Sequence, residues 1–167
     1  MSAQLDVIPN CSGGHEPQNE EFSYWVDENQ NACIEGVIPA NLTGTFFRNG
    51  PGRLKLDKDK FGHWFDGDGM LCAFTFQNGR VHFKNRFVRT PKYVKESQTG
   101  RIEYRGFGTQ RPGGILANIL RPPTNPANTN SVYHGGLLLA LNEGGKPYSL
   151  DPSNLHTYGE YTYDGEL

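Results

Sequence analysis

The sequence has few cysteines, and their spacing builds nothing. Cys11, Cys33 and Cys72 form no Cys-x-x-Cys pair, which speaks against a disulfide framework and fits a reducing compartment. Long apolar runs are also missing. No stretch approaches the ~18–20 residues of a membrane-spanning helix, and the opening MSAQLDVIPN lacks the basic and apolar regions of a secretory signal. The expected setting is cytoplasmic. A strong charge of one sign is absent as well. The net charge is −2, so no nucleic-acid partner is expected, because phosphate binding needs clustered positive charge. The five histidines, His15, His63, His82, His134 and His156, show no HxH, HxxxH or HExxH spacing. Local spacing therefore supplies no transition-metal site, although strands can bring ligands from afar. No Gly-x-Ser-x-Gly, P-loop or dinucleotide fingerprint is present. GTQRPGG is glycine-rich but does not lead from a strand into a long helix, so it makes no phosphate loop.

Glycine and proline are plentiful, at 21 and 11 residues, and aromatic residues make up 12%. Glycine turns between aromatic and β-branched runs point to an all-β protein. Hydrophobic residues reach only 35%, low for a self-sufficient domain. Residues 1–20 read as a polar tail, and the β domain is expected over 21–167. GVIPANLTGTFFRNGPGRL reads as a short strand, a Pro-Ala-Asn turn, a second strand near residues 45–48 and a break at Asn-Gly-Pro-Gly. MLCAFTFQNGRVHFKNRFVRT reads as two alternating strands around Asn78-Gly79, a strong hairpin signal because both turn residues need positive φ. Its inward face is Leu71, Ala73 and Thr75, or the alternates. Residues 105–127 break the pattern, and a long connection of this kind is often functional. Within it Ile115, Leu116, Ile119 and Leu120 have the spacing of one face of a short helix. From Asn128 onward, three or four short strands follow, with turns at 135–136, 144–145 and 151–154. Leu137, Leu139 and Leu141 lie on one face of a strand whose other face carries Leu138 and Ala140. Such a strand is buried on both sides, which suits a sandwich, a barrel or a propeller blade. The strands amount to two or three blades, and the last residues, DGEL, resemble a hairpin turn. An N-terminal piece of a larger protein is the expectation.

Two places draw chemical interest. HWFDGDGM, residues 63–70, packs one histidine and two carboxylates beside two glycines. Counted from Asp57, acids fall at positions one, three and twelve of a calcium loop, with Gly62 at six. Phe61 at position five has no side-chain oxygen, and Asp68 at twelve is too short. A structural turn is the better reading, with each Asp bonding nearby backbone and Gly67 and Gly69 left-handed. Glu143 continues the apolar row Leu137, Leu139, Leu141 into a glycine turn. A carboxylate there is either solvated or paired, and the residues alone leave both open.

EGVIPANLTGTFFRNGPG, HWFDGDGMLCAFTFQNGRVHFKNRFVRTPKYVKE and NTNSVYHGGLLLALNEGGKPYSLDPSNLHTYGEY occur in this order. Together, over roughly residues 30–167, they closely resemble the N-terminal third of the carotenoid cleavage oxygenases. The likeness is greatest to bacterial apocarotenoid-cleaving members, and retinoid isomerohydrolases belong to the same family. The resemblance implies a seven-bladed β-propeller with one short helical insertion. It implies an Fe(II) on the propeller axis, held by four histidines backed by three glutamates. The implied reaction is cleavage of a conjugated carbon–carbon double bond of a carotenoid or apocarotenoid by O2, giving aldehyde or ketone products. Glu143 matches the first of those glutamates, and Thr129 matches a small residue near the iron. None of the five histidines matches a ligand. The ligands are expected beyond residue 167, so no metal is expected within this chain and it should be inactive alone. The resemblance makes 105–127 the apolar patch at the substrate entrance. Ile115, Leu116, Ile119 and Leu120, flanked by Arg111 and Arg121, then suit a peripheral membrane contact, or else pack against the propeller. A non-catalytic propeller binding carotenoids or protein partners, and isomerohydrolase chemistry, are the competing expectations.

Overall fold

The structure, a computed structural model, describes residues 21–26, 34, 36–57 and 59–165. The expected polar tail lies outside them. Among the described residues the first four strands are β1 (Ser23–Trp25), the ten-residue β2 (Gly44–Arg53), β3 (Lys55–Leu56) and β4 (Asp59–Lys60). A 3-10 turn, Trp64–Asp66, then leads into β5 (Asp68–Gln77) and β6 (Arg80–Phe87). Asn78 and Gly79, at φ 51° and 72°, join β5 to β6 as the two-residue turn that the sequence predicts. Pairing starts directly at Gln77 opposite Arg80. β2 lies antiparallel on β5 and β1 on β6, giving the order β1-β6-β5-β2. Leu71 and Ala73 face the core, whereas Thr75 is half-buried and meets Thr45 hydroxyl to hydroxyl at 3.0 Å.

Two expectations about the first strands are corrected. Residues 36–39 are not in a strand. Asn49 to Gly52 do not break the chain, since β2 runs through them to Arg53 with a register shift between Pro51 and Arg53. β2 is a sheet edge, so the N–H that Pro51 lacks is not needed by a neighbour.

The second sheet holds β7 (Asn130–His134), β8 (Leu137–Leu141), β9 (Tyr148–Leu150) and β10 (Thr157–Glu160), in the order β10-β9-β8-β7. Gly135 and Gly136, at φ 59° and 82°, make the tight β7–β8 turn. β8 is an inner strand with Leu138, Leu139 and Ala140 buried, so both faces are covered as the leucine row predicts. Leu71 and Ala73 from the first sheet, Leu138, Ala140 and Leu150 from the second, and Val88, Ala127 and Leu155 between them form one core. Each fully buried leucine or valine side chain contributes about 1.5–3 kcal/mol. The fold is all-β with few helices. Its described residues form two four-stranded antiparallel sheets and a small two-stranded one, β3-β4, and not a closed ring.

The sequence reading of one helical insertion missed a longer helix, α1 (Pro91–Thr99). Its end signals are plain. The Thr90 hydroxyl accepts from Tyr93 N–H, Pro91 occupies the first turn, and Gly100 closes the helix at φ 64°. Its inward face is ionic rather than apolar, so no hydrophobic period reveals it. Lys92 and Glu96 are 2% and 0% exposed. Lys92 Nζ lies 2.9 Å from Asp68 Oδ1 and 3.0 Å from Glu96 Oε2, and Arg53 Nε lies 2.7 Å from Asp68 Oδ2. Phe61 and Tyr93 lie under Lys92 and Arg53 at 4.0 and 4.6 Å. Glu96 Oε1 accepts from the backbone N–H groups of Glu103 and Tyr104 at 3.0 and 3.1 Å, which starts the long connection.

That connection contains α2 (Gly114–Asn118). The helix is only five residues long. Ile119 already leaves it, and Leu120 is left-handed at φ 57°. Ile115, Leu116, Ile119 and Leu120 therefore do not share a helical face. They are 80%, 88%, 57% and 95% exposed, so they do not pack against the two described four-stranded sheets. The buried residue of α2 is Asn118. Its amide bonds Arg111 N–H, Arg111 C=O and Gly114 C=O, each at 2.8 Å.

Asp68→Asn should destabilise the fold by about 3–5 kcal/mol, because it leaves Arg53 and Lys92 buried with one carboxylate between them. Equilibrium urea denaturation measures this, and a loss under about 1 kcal/mol would show that the network is solvated. At the β9–β10 turn, Asp151 accepts from the Ser153 hydroxyl (2.6 Å), Ser153 N–H (2.7 Å) and Asn154 Nδ2 (2.9 Å). The two Ser153 bonds hold its carboxyl below the ordinary carboxylate value. This contribution is complete above the unfolded value of about 3.9 and is lost as pH falls through the lower folded one. The stability gap between wild type and Asp151→Asn should thus be widest near neutrality and close below about pH 4, as read by urea midpoints across pH.

Candidate functional site

Thr129 stands just before β7, and its backbone N–H and hydroxyl both donate to Leu141 C=O, at 3.1 and 2.9 Å. This double bond ties residue 129 to the end of β8. The chain then turns, with Asn142 Oδ1 accepting from Gly144 N–H at 3.0 Å, and Glu143 stands exposed at the bend. The two residues that the resemblance singled out are thereby brought to one end of the second sheet. Both border two adjoining open hollows. One, of about 570 Å³, reaches across to Arg48, Met70 and Cys72 of the first sheet. The other, of about 370 Å³, is walled by Phe65, Phe107 and Pro126. No hydrogen-bond donor among the described residues meets the Glu143 carboxylate.

The groups at this site are not themselves a metal centre. Among the described residues no three His, Cys, Asp or Glu side chains converge. His63 caps the 3-10 turn, its Nδ1 accepting from Phe65 N–H at 3.1 Å. His82 packs against Trp25, where burial, helped by Lys84, lowers its pKa. Burial also pushes the Cys72 thiol up, only partly offset by Arg48, so Cys72 is a neutral thiol rather than a nucleophile. The site thus provides an acceptor, Glu143, rather than a ligand set. An acceptor of this kind suits the free N–H of a histidine whose other nitrogen binds metal.

HWFDGDGM proves structural, but not as the sequence predicts. Gly67 is extended at φ −62°, and neither Gly67 nor Gly69 is left-handed. Their small size is what the fold needs. A Cβ at Gly67 would sit 2.7 Å from Leu54 Cδ2 and 2.8 Å from Pro51 Cβ, and one at Gly69 would run into the Ala127 carbonyl. Nor do the two carboxylates bond their own turn. Asp68 belongs to the buried ionic network. Asp66, 3% exposed, accepts from Phe107 N–H, from Gly108 N–H at 2.9 Å and from the Thr109 hydroxyl at 2.7 Å. With both oxygens on Arg53 and Lys92, Asp68 is not free to close the calcium loop counted from Asp57.

Sequence reasoning missed the aromatic side of the site. Phe65 and Phe107 lie 5.8 Å apart, centre to centre, with His63 at 4.5 and 5.4 Å from them and Trp64 at 4.1 Å from Phe65. Asn128 joins this group to Thr129, its amide donating to Phe65 C=O at 2.8 Å and Gly67 C=O at 2.7 Å. No local spacing connects residues 65, 107, 128 and 143. The one visible cue was an aromatic pair standing beside the glycines.

The family model for the retinal pigment epithelial membrane protein matches residues 17–167. The apocarotenoid-15,15'-oxygenase of Synechocystis is 51% identical over 150 residues, covering 87% of this chain and 29% of that protein. Isoeugenol monooxygenase of Pseudomonas nitroreducens is 38% identical over 135 residues, covering 80% of this chain and 27% of its own length. The solved structure of cobalt-substituted Synechocystis apocarotenoid oxygenase superposes with a TM-score of 0.81 at 48% identity, covering 91% of this chain and 32% of that one. The chain spans about three-tenths of the length of these relatives. It belongs to the retinal pigment epithelial membrane protein family, that of the carotenoid cleavage oxygenases.

Proposed function

We propose that this chain is the N-terminal part of a non-heme Fe(II)-dependent oxygenase that cleaves a conjugated C=C bond of a carotenoid or apocarotenoid with O2, giving aldehyde products. The observation that carries the proposal is the meeting of Glu143 and Thr129 at one hollow, the carboxylate without a donor among the described residues. The cobalt-substituted form of a 48% identical relative supports a metal in such proteins. The iron, when bound, supplies oxygen activation that side chains cannot. Its four histidines are expected beyond residue 167. Glu143 accepts the N–H of one of them and fixes that ring's tautomer and orientation. Thr129, its hydroxyl proton held by Leu141 C=O, contributes bulk at the mouth of the hollow. The two four-stranded sheets are two blades of a seven-bladed propeller spanning 21–167 and beyond, in a cytoplasmic protein.

The same reading gives 105–127 a membrane role at the substrate entrance. Ile115, Leu116, Ile119 and Leu120 are exposed beside Arg111 and Arg121, and no Asp or Glu occurs between Glu103 and Glu143. An apolar tip with cationic flanks suits a lipid interface, where a carotenoid would be drawn from the bilayer.

Full-length protein with an apocarotenal in air should lose polyene absorbance as O2 is consumed. Product formed without O2 uptake would indicate isomerohydrolase chemistry, and iron-free, inert protein a binding propeller. Glu143→Gln should lower iron content or turnover by about 10–100-fold with the circular dichroism unchanged. Wild-type iron content and rate would overturn the role of Glu143. Leu116→Ser and Leu120→Ser should each weaken co-flotation with lipid vesicles by about tenfold, and unchanged flotation would remove the membrane contact.

A further inference from the structure

Residues 105–110 have no helix or strand to hold them, yet Phe107 stands in a defined place. The residue is 69% exposed, so packing alone does not fix its ring. The segment is instead latched from beneath. Asp66 Oδ1 accepts from Phe107 N–H, while Oδ2 accepts from Gly108 N–H and the Thr109 hydroxyl. Thr109 Oγ1 in turn accepts from Gly62 N–H at 2.8 Å, which closes the latch on the other side of the turn. The fit is close on both strands of the loop. A Cβ at Gly106 would strike the Asp66 carboxylate, and one at Gly108 would come within 2.6 Å of His63 Cβ. A carboxylate that accepts three charge-assisted bonds in a nearly dry setting is a rigid support. What it supports is the wall of the hollow that Glu143 and Thr129 border.

We propose that Asp66 is a positioning residue for substrate: by latching residues 107–109 it holds the Phe107 ring against Phe65, and so sets the aromatic surface on which a conjugated substrate lies beside Glu143. This rests on the reading of the hollow as the place of a conjugated substrate. Flat rings in offset or edge contact offer a π-face to a polyene or an aryl-alkene. Their value depends on being held before the substrate arrives. Asn at position 66 cannot substitute. Whichever way its amide lies, one NH2 replaces an acceptor and faces a backbone N–H, that of Phe107 or that of Gly108.

The test is a double-mutant cycle in the full-length protein, read as the dissociation constant of an apocarotenal in the iron-free form by fluorescence quenching, and as kcat and KM in the iron-loaded form. Asp66→Asn and Phe107→Ala should each weaken binding by about tenfold and raise KM while kcat changes less than about twofold. The double variant should bind no worse than Phe107→Ala alone, because Asp66 acts through that ring. Additive losses, or wild-type binding by Asp66→Asn, would overturn the proposal. A general loss of stability would not reproduce the non-additivity. Should Asp66→Asn fail to fold, Thr109→Val, which breaks the latch without charging or crowding it, takes its place in the cycle. Wild-type protein that binds no conjugated compound would reject the reading of the hollow itself, whatever the variants do.

Discussion

The structure depends on carboxylate and amide oxygens standing in for a missing ladder. Between β6 and β7 the chain runs for more than forty residues with only two helices, and its backbone N–H groups cannot all face water. Glu96 receives the amides of residues 103 and 104, Asp66 those of 107 and 108, and the Asn118 side chain closes the loop from 111 to 118. Each of the three side chains is nearly fully buried. An unpaired buried amide costs about 1–3 kcal/mol, so an irregular segment this long keeps one shape only if such acceptors are placed under it.

The acceptors are themselves anchored. Glu96 lies on α1, whose docking against the first sheet is ionic through Lys92, Asp68 and Arg53. Asp66 and Asp68 sit two residues apart, at the point where the 3-10 turn becomes β5. One short stretch therefore looks both ways. Its second acid fastens the helix and its first acid fastens the loop. Asn128 adds a third tie, from that same turn to the residue beside Thr129. The aromatic hollow with Glu143, walled by Phe65 and Phe107, takes its shape from these bonds, whereas the adjoining one is lined by β2 and β5 as well.

What could be read in the sequence was whatever repeats at short range. Asn78-Gly79 and Gly135-Gly136 demanded their turns, because only such residues accept positive φ in a two-residue hairpin. The LLLAL row fixed a strand covered on both faces. The capping signals of α1 were equally local, but its buried face carries Lys92 and Glu96, and a search for apolar periods passes over it. The stretch at 49–52 shows the opposite error. Gly-Pro-Gly resembles a break, yet at a sheet edge it continues as strand, and edge position is not a local property.

The sequence by itself determined the all-β class, the two glycine hairpins, the buried β8 and, through its motifs, the family. Only the tertiary structure decided that Asp66 and Asp68 serve two separate networks, that Gly67 and Gly69 are chosen for close approach, and that Phe65, Phe107, Thr129 and Glu143 share one hollow. The physical reason is range. Turn angles and strand faces depend on neighbours within a few residues. A carboxylate's partner and a hollow's wall are set by which distant backbone the packed sheets bring within about 3 Å of it.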